Sequence, residues 1–137
     1  ASKVMWKTNM YFRPVVGELL DGVVDHWVAD FKCGNARCAG ALLDASDYVA
    51  VVRANLLAVP ARAGLIVRHL ILPGHTECCS RPILRWLEAH LPGVKVRLRG
   101  NYVPPGEANR APHCYLEPGD LNRVLCMAQS LDLHVIT

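Results

Sequence analysis

Residues 27–35 read WVADFKCGN, an apolar run that turns polar and stops at a Cys-Gly-Asn turn. In an extended strand, successive side chains face opposite ways. His26, Val28, Asp30 and Lys32 therefore share one face, and Trp27, Ala29 and Phe31 the other. The aromatic face suits packing under helices. The other grows polar toward its tip, where a ligand-facing wall of a parallel sheet lies. An acid and an ammonium there suit the two ends of a zwitterion, or a ribose hydroxyl and a carboxylate. They suit equally an ion pair at an exposed strand end, a contact that contributes ~0–1 kcal/mol.

Outward from this stretch, strands and helices alternate. KVMWKTN (3–9) reads as a short strand, and PVVGELLDG (14–22) as a helix with Pro14 in its first turn and Gly22 as its stop. After the strand at 23–31, Ser46 is placed to cap a helix with Tyr48, Val51, Val52, Leu56 and Val59 on one face. LIVRHLIL (65–72) is the strongest strand, closed by Pro73-Gly74. Ser80 opens a helix with Ile83, Trp86, Leu87, His90 and Leu91 along one side. VKVRLR (94–99) is a further strand, followed by a Pro-rich loop over 103–117. A helical stripe (Leu121, Val124, Leu125, Ala128) and a closing strand, LHVI (133–136), complete the chain. The order predicts an α/β fold with a parallel sheet and right-handed crossovers. The nearly continuous apolar strands predict helices on both sheet faces. An open doubly wound sheet and an arc of a (β/α) barrel both fit, and about five strands are too few for an eight-stranded barrel.

The 137 residues form one domain with a core of its own, without repeats or a dividing linker. With 52% hydrophobic and 20% charged residues, the composition is that of a folded protein. A net charge of +3, without a basic and aromatic stripe, argues against nucleic acid. No apolar run approaches the ~20 residues of a membrane helix, and the first residues do not resemble a signal peptide. A cytoplasmic location is expected, with the six cysteines reduced.

The predicted strand ends carry Thr8-Asn9, Asp30-Phe31-Lys32, Arg68-His69 and, after the fourth strand, Asn101-Tyr102. Arg68 and His69 face opposite ways, so one enters the layer under the helices. A histidine there is usually a hydrogen-bonded core residue, whereas an unpaired buried guanidinium would cost several kcal/mol. Arg68 is therefore expected to meet an acid or an anionic ligand. Cys33-x4-Cys38, His75-x2-Cys78-Cys79 and His113-Cys114 fall in loops on the same rim. Their spacing is not that of a zinc ribbon, and adjacent cysteines rarely share one ion. Free loop thiols are expected and no metal ligand is assigned. For His113 and Cys114 as a nucleophile couple, no third member or oxyanion hole can be named.

Four segments, WKTNMY (6–11), LLDGVVDHWVADFKCGN (19–35), GLIVRHLILPGH (64–75) and RPILRWLEAHLPGVKVRLRGNY (81–102), resemble the later part of radical S-adenosylmethionine proteins. They do so in that order, and the branch they most resemble is the group related to pyruvate formate-lyase activating enzyme. The resemblance implies a partial (β/α)6 barrel. A [4Fe-4S] cluster and S-adenosylmethionine would sit at the strand C-termini, with a protein or small-molecule substrate above. Asp30 and Lys32 match the "D-[LF]-K" strand that lines the cofactor site, and Thr8-Asn9 match a "T-N" strand end beside it. Arg68 matches the arginine of "[IV]-R-x-[LV]-x-[LV]-P-G". Asn101 and Tyr102 fall where the family places substrate- or cofactor-facing residues.

Two departures qualify the match. Lys7 stands where the activating enzymes have an Asp, so their cation site is not expected here. The Cys-x3-Cys-x2-Cys cluster motif is absent, and in the family it follows the first barrel strand, upstream of where residue 1 falls. The resemblance thus implies an incomplete barrel over 1–137, lacking its N-terminal cluster-binding part. Such a chain would contribute cofactor and substrate contacts without the iron ligands, its catalytic residues unassigned. The alternative is a catalytically inactive, self-associating half-barrel or small binding module, two chains shielding each other's open edges.

Overall fold

The computed structural model describes residues 2–106 and 110–136. Its elements alternate as β1 (Met5–Thr8), α1 (Pro14–Leu20), β2 (His26–Asp30), α2 (Ala36–Leu43), α3 (Tyr48–Ala58), β3 (Gly64–Leu70), a π-helical turn (Thr76–Ser80), α4 (Arg81–His90), β4 (Lys95–Arg99), α5 (Pro118–Gln129) and β5 (His134–Ile136). The five strands form one sheet in the order β1-β2-β3-β4-β5, every neighbouring pair parallel. No described helix is long and apolar enough to cross a membrane.

Strand order decides where the helices go. When each strand is laid beside its predecessor in one direction, right-handed crossovers put every helix on the same face. Burial follows that rule. Trp27, Ala29, Phe31, Val67, Ile71 and Val96 form one core with Val52, Leu56, Ile83, Leu87, Val124 and Ala128 from the helices. The opposite face carries His26, Val28 and Asp30 on β2, Ile66, Arg68 and Leu70 on β3, and Lys95, Arg97 and Arg99 on β4. None of these is fully buried. The expectation of helices on both faces is therefore corrected: the sheet is singly wound, with one face covered and one open.

Local chemistry shifts several expected boundaries. Helix α2 was not foreseen from apolar period; Asn35 starts it, its Oδ1 accepting from the Cys38 N–H at 2.8 Å. Ser46 does not cap α3. Asp47 holds that position, and its carboxylate accepts from the Tyr11 hydroxyl at 2.5 Å instead of from the helix. Ser80 does not cap α4 either, and its hydroxyl turns into the core. His90 is exposed, stacked on Trp86 with ring centroids 4.7 Å apart. In the loop after β1, buried Met10 adopts a left-handed conformation, φ +59°, which costs a non-glycine residue roughly 1–2 kcal/mol. Buried Asn55 of α3 holds that loop, its amide donating to the Met10 and Phe12 carbonyls at 2.8 and 2.9 Å.

His69 is a polar residue of the covered face and is 0% exposed. Its Nδ1 lies 2.8 Å from the Phe31 carbonyl, which can only accept. Nδ1 therefore carries the proton, and Nε2 accepts from the Ser80 hydroxyl at 2.7 Å. Burial pushes the imidazole pKa down to about 4, against a smaller opposing effect of the Phe31 carbonyl. Below its ordinary value near 6.5, the unfolded chain binds this proton and the folded chain does not. Stability is thus full above that pH and falls as pH drops toward 4. The expected loss is about 3 kcal/mol in all, at up to about 1.4 kcal/mol per pH unit. Urea unfolding from pH 7.5 to 4.5 should show this slope, and His69→Gln, which can both donate and accept, should flatten it.

Candidate functional site

Ligands of parallel sheets bind beyond the carboxyl ends of the strands, and the open face is most polar there. Asp30 and Arg68 are register partners on β2 and β3. Arg68 Nε and Nη2 both reach Asp30 Oδ1, at 2.8 and 2.6 Å, with the side chains 13% and 20% exposed. Neighbouring strands lie ~4.8 Å apart, whereas residues two apart on one strand are separated by ~6.6 Å. Asp30 accordingly pairs across the ladder with Arg68 and not along its own strand with Lys32. This accounts for the arginine expected to meet an acid.

A cleft of about 320 Å³ opens over this pair, lined by Asp30, Lys32, Arg68, Leu70, Arg99, Asn101, Tyr102 and Val103. The backbone N–H of Lys32 donates to Tyr48 Oη at 2.9 Å, which fixes the strand tip against α3. Burial raises the Tyr48 phenol well above its ordinary range, so it remains a neutral anchor. Arg99 Nε donates to Asn101 Oδ1 at 3.3 Å. Tyr102 donates to the Pro112 carbonyl at 2.6 Å, tying the cleft's outer wall to the Pro-rich loop. Lys32, Arg68 and Arg99 outnumber the single carboxylate, so the cleft favours a ligand with an anionic group.

Five of the seven residues singled out in the sequence thus meet in one cleft: Asp30, Lys32, Arg68, Asn101 and Tyr102. Thr8 and Asn9 do not line it. Thr8 pairs with Ala29, whose side faces the helices. Its Oγ1 accepts from the Met10 N–H at 3.0 Å, and Asn9 Oδ1 accepts from the Tyr11 N–H at 3.0 Å. Both side chains stabilise the loop after β1. Arg99 and Tyr48 were not foreseen as site residues; the alternation of Lys95, Arg97 and Arg99 with Val96 and Leu98 was the available signal for Arg99.

Beginning six residues beyond Lys32, the chain builds a second constellation. Cys38 from the first turn of α2, His75, and Cys78 and Cys79 from the π-helical turn place their ligand atoms within 4.8 Å of one another. Cys38 and the Cys78-Cys79 pair therefore sit in helical turns, not in free loops as expected. No cysteine is in a disulfide. His75 Nδ1 is 3.2 Å from Cys78 Sγ and 3.9 Å from Cys79 Sγ. Asn35 joins the two segments, its Nδ2 lying 2.7 Å from the Cys78 carbonyl and 3.3 Å from Cys38 Sγ. Burial and the neighbouring Cys79 push the Cys78 thiol up to about 12. A hydrogen bond with Cys79 draws buried Cys33 down and Cys79 up. His113 and Cys114 are exposed and lie outside the group.

These features define an α/β protein with a cationic cleft at the carboxyl edge of a singly wound parallel sheet, flanked by a thiol–imidazole cluster. No family model matches the chain. It is similar to an uncharacterized protein of Methanocaldococcus jannaschii, 30% identical over 135 residues, a stretch covering 97% of this chain and 40% of that protein. The chain thus spans about two fifths of the length of that curated relative.

Gly34 permits the close approach of the two segments. A Cβ there would lie 2.6 Å from the Cys79 carbonyl oxygen and 2.8 Å from Pro82 Cγ. Gly34→Ala should cost about 1–3 kcal/mol, because backbone has to move. Gly106→Ala, where nothing lies within 4 Å, is the matched control with little change expected in the urea midpoint.

Proposed function

We propose that the chain is the later part of a radical S-adenosylmethionine protein, with the cleft at the sheet's carboxyl edge as its cofactor- and substrate-facing wall. The observation that carries this reading is the convergence of Asp30, Lys32, Arg68, Asn101 and Tyr102, from three different strand ends, on one cleft. The resemblance had marked each of them for that role independently. A parallel sheet wound in one direction, its helices on one face and its polar residues on the other, is also what an arc of a partial (β/α)6 barrel requires.

The residues fit the organic cofactor. Both Arg68 nitrogens engage Asp30 Oδ1, which leaves Oδ2 to accept from a ribose hydroxyl. Lys32 and Arg99 supply cations for a carboxylate of the cofactor or of a substrate, and Asn101 adds an amide. When bound, the cofactor and its cluster would supply the radical chemistry; this chain would bind and orient. The [4Fe-4S] group does not fit the chain's own thiols. Their spacing lacks the Cys-x3-Cys-x2-Cys pattern, and the converging set is drawn together more tightly than the thiolates of a cubane. Its ligands would have to come from elsewhere in a longer protein.

A titration of the chain with S-adenosylmethionine, read by calorimetry, tests the cleft. Saturable binding is expected, weakened at least about 10-fold by Lys32→Ala or Asp30→Ala (about 1.4 kcal/mol) and weakened further by salt. The absence of saturable binding up to millimolar cofactor would sink the assignment.

A second reading, a self-associating half-barrel, draws on a separate observation. Among the described residues β1 pairs only with β2 and so ends the sheet. Beside it, Val4, Met5, Trp6, Val16, Leu19, Leu20, Val23 and Val24 line a groove of about 440 Å³. Met5 and Leu19 are 63% and 74% exposed, an apolar strip at an open edge that another chain can cover. Sedimentation should show a concentration-dependent dimer that Leu19→Lys dissociates. A monomer at every concentration would remove this reading and leave the cleft assignment untouched.

A further inference from the structure

We propose that Cys38, His75, Cys78 and Cys79 bind one zinc-class ion in tetrahedral Cys3His coordination, as a structural clamp between the β2–α2 and β3–α4 connections. Three thiolates and an imidazole form a donor set typical of closed structural zinc sites, with no position left for substrate. The dimensions fit a single ion. With Zn–S near 2.3 Å and Zn–N near 2.0–2.1 Å, tetrahedral geometry separates sulfur from sulfur by about 3.8 Å and sulfur from nitrogen by about 3.6 Å. His75 Nδ1 stands 3.2 and 3.9 Å from the two neighbouring sulfurs, bracketing that value, and the whole set closes within 4.8 Å.

The π-helical turn removes the objection to adjacent cysteines. Ser80 N–H and Cys79 N–H both bond to the His75 carbonyl, at 3.2 and 2.9 Å. Cys78 and Cys79 follow His75 by three and four residues, the spacings at which side chains of a helical turn are neighbours, so both thiols approach its ring. π-turns of this kind frequently mark functional positions. Asn35 supplies the outer-shell support expected of a metal site. Its amide lies against both Cys38 Sγ and the Cys78 carbonyl, orienting one donor from each connection. Binding is balanced as three thiols and a neutral imidazole taking up M²⁺ with release of three protons. The cluster shares no residue with the cleft, so the proposal stands whether or not a cofactor binds there.

The test is a titration of the reduced, metal-stripped chain with Co²⁺ and then Zn²⁺, with thiol alkylation counted by mass spectrometry. Expected are the visible bands of tetrahedral thiolate-bound cobalt at one equivalent, their displacement by zinc, and zinc protection of Cys38, Cys78 and Cys79. Cys114→Ser and Cys126→Ser should bind normally, whereas Cys38→Ser and Cys78→Ser should lose the cobalt bands. Asn35→Ser keeps a helix-capping oxygen but loses the amide donors, and should weaken zinc about 10–100-fold. If the cysteine variants fail to fold, the titration and protection pattern of the unaltered chain decide the matter alone. Equal alkylation of the six thiols with and without zinc, and no tetrahedral cobalt spectrum, would overturn the proposal. So would an iron–sulfur chromophore on reconstitution at these cysteines in place of single-ion binding.

Discussion

The pairing of the end of β2 with the end of β3 is the contact on which both faces of the sheet depend. On the open face it sets Asp30 against Arg68. On the covered face it sets the His69 imidazole under the Phe31 carbonyl, while the Phe31 N–H bonds to the Arg68 carbonyl at 2.9 Å. Because side chains alternate with a period of two, a slip of one residue would drive Arg68 under the helices and turn His69 out. A partly buried pair such as Asp30–Arg68 lies between exposed pairs, ~0–1 kcal/mol, and buried ones, where removal of one partner costs about 3–5 kcal/mol. Its larger contribution is to specificity of register: two polar groups on opposite faces are satisfied together in one alignment only.

From that register follows the division of labour between the faces. Helices α3, α4 and α5 bury the aromatic and branched residues of the covered side, which supplies the hydrophobic stabilisation. The open side is relieved of packing and can hold charge. Arg97 lies beside Arg68 and Arg99 beside Leu70 across the β3–β4 ladder, a concentration of cations that a covered face would not tolerate. The same winding leaves β1 at the edge of the sheet, so the polar cleft and the apolar edge strip are consequences of one topology.

The alternation of elements was legible because turn residues bound each apolar run: Pro73-Gly74 after β3, Pro92-Gly93 after α4. The single covered face was not. Val28, Ile66 and Leu70 are as apolar as their buried neighbours, and strand sequence alone does not separate a half-buried residue from a buried one. The polar tip of β2 and the lysine and arginine at every second position of β4 hinted at an open side, but the strand sequences did not say that the whole face lacked helices. The cleft was legible from strand ends and resemblance, though Thr8 shares the helix-covered face with Ala29, and Thr8 and Asn9 both went to loop hydrogen bonds. The thiol cluster was legible only as cysteines and histidines falling on one rim. Its assembly uses a π-turn that no apolar period encodes, a glycine whose role is contact with another loop, and a helix cap, Asn35, that bridges two chain segments.

The stretch from Phe31 to Asn35 links the two sites. Phe31 is buried beneath the helices, Lys32 enters the cleft, Cys33 returns to the core beside Cys79, Gly34 lies against the π-turn, and Asn35 caps α2. Alternation would leave this segment free to fray once the β-ladder ends, yet each of its residues has a partner on another element. Lys32 is the only one directed outward, and its ammonium is a flexible point charge with a high rotamer entropy. Its placement therefore depends on how firmly its neighbours are held. The Tyr48 hydroxyl fixes its backbone from α3, and the Cys33–Asn35 turn fixes it from the side of the thiol cluster. A cation bound by that cluster would stiffen the turn and reduce the ordering cost of a ligand gripped by Lys32, which gives the two sites a physical reason to adjoin.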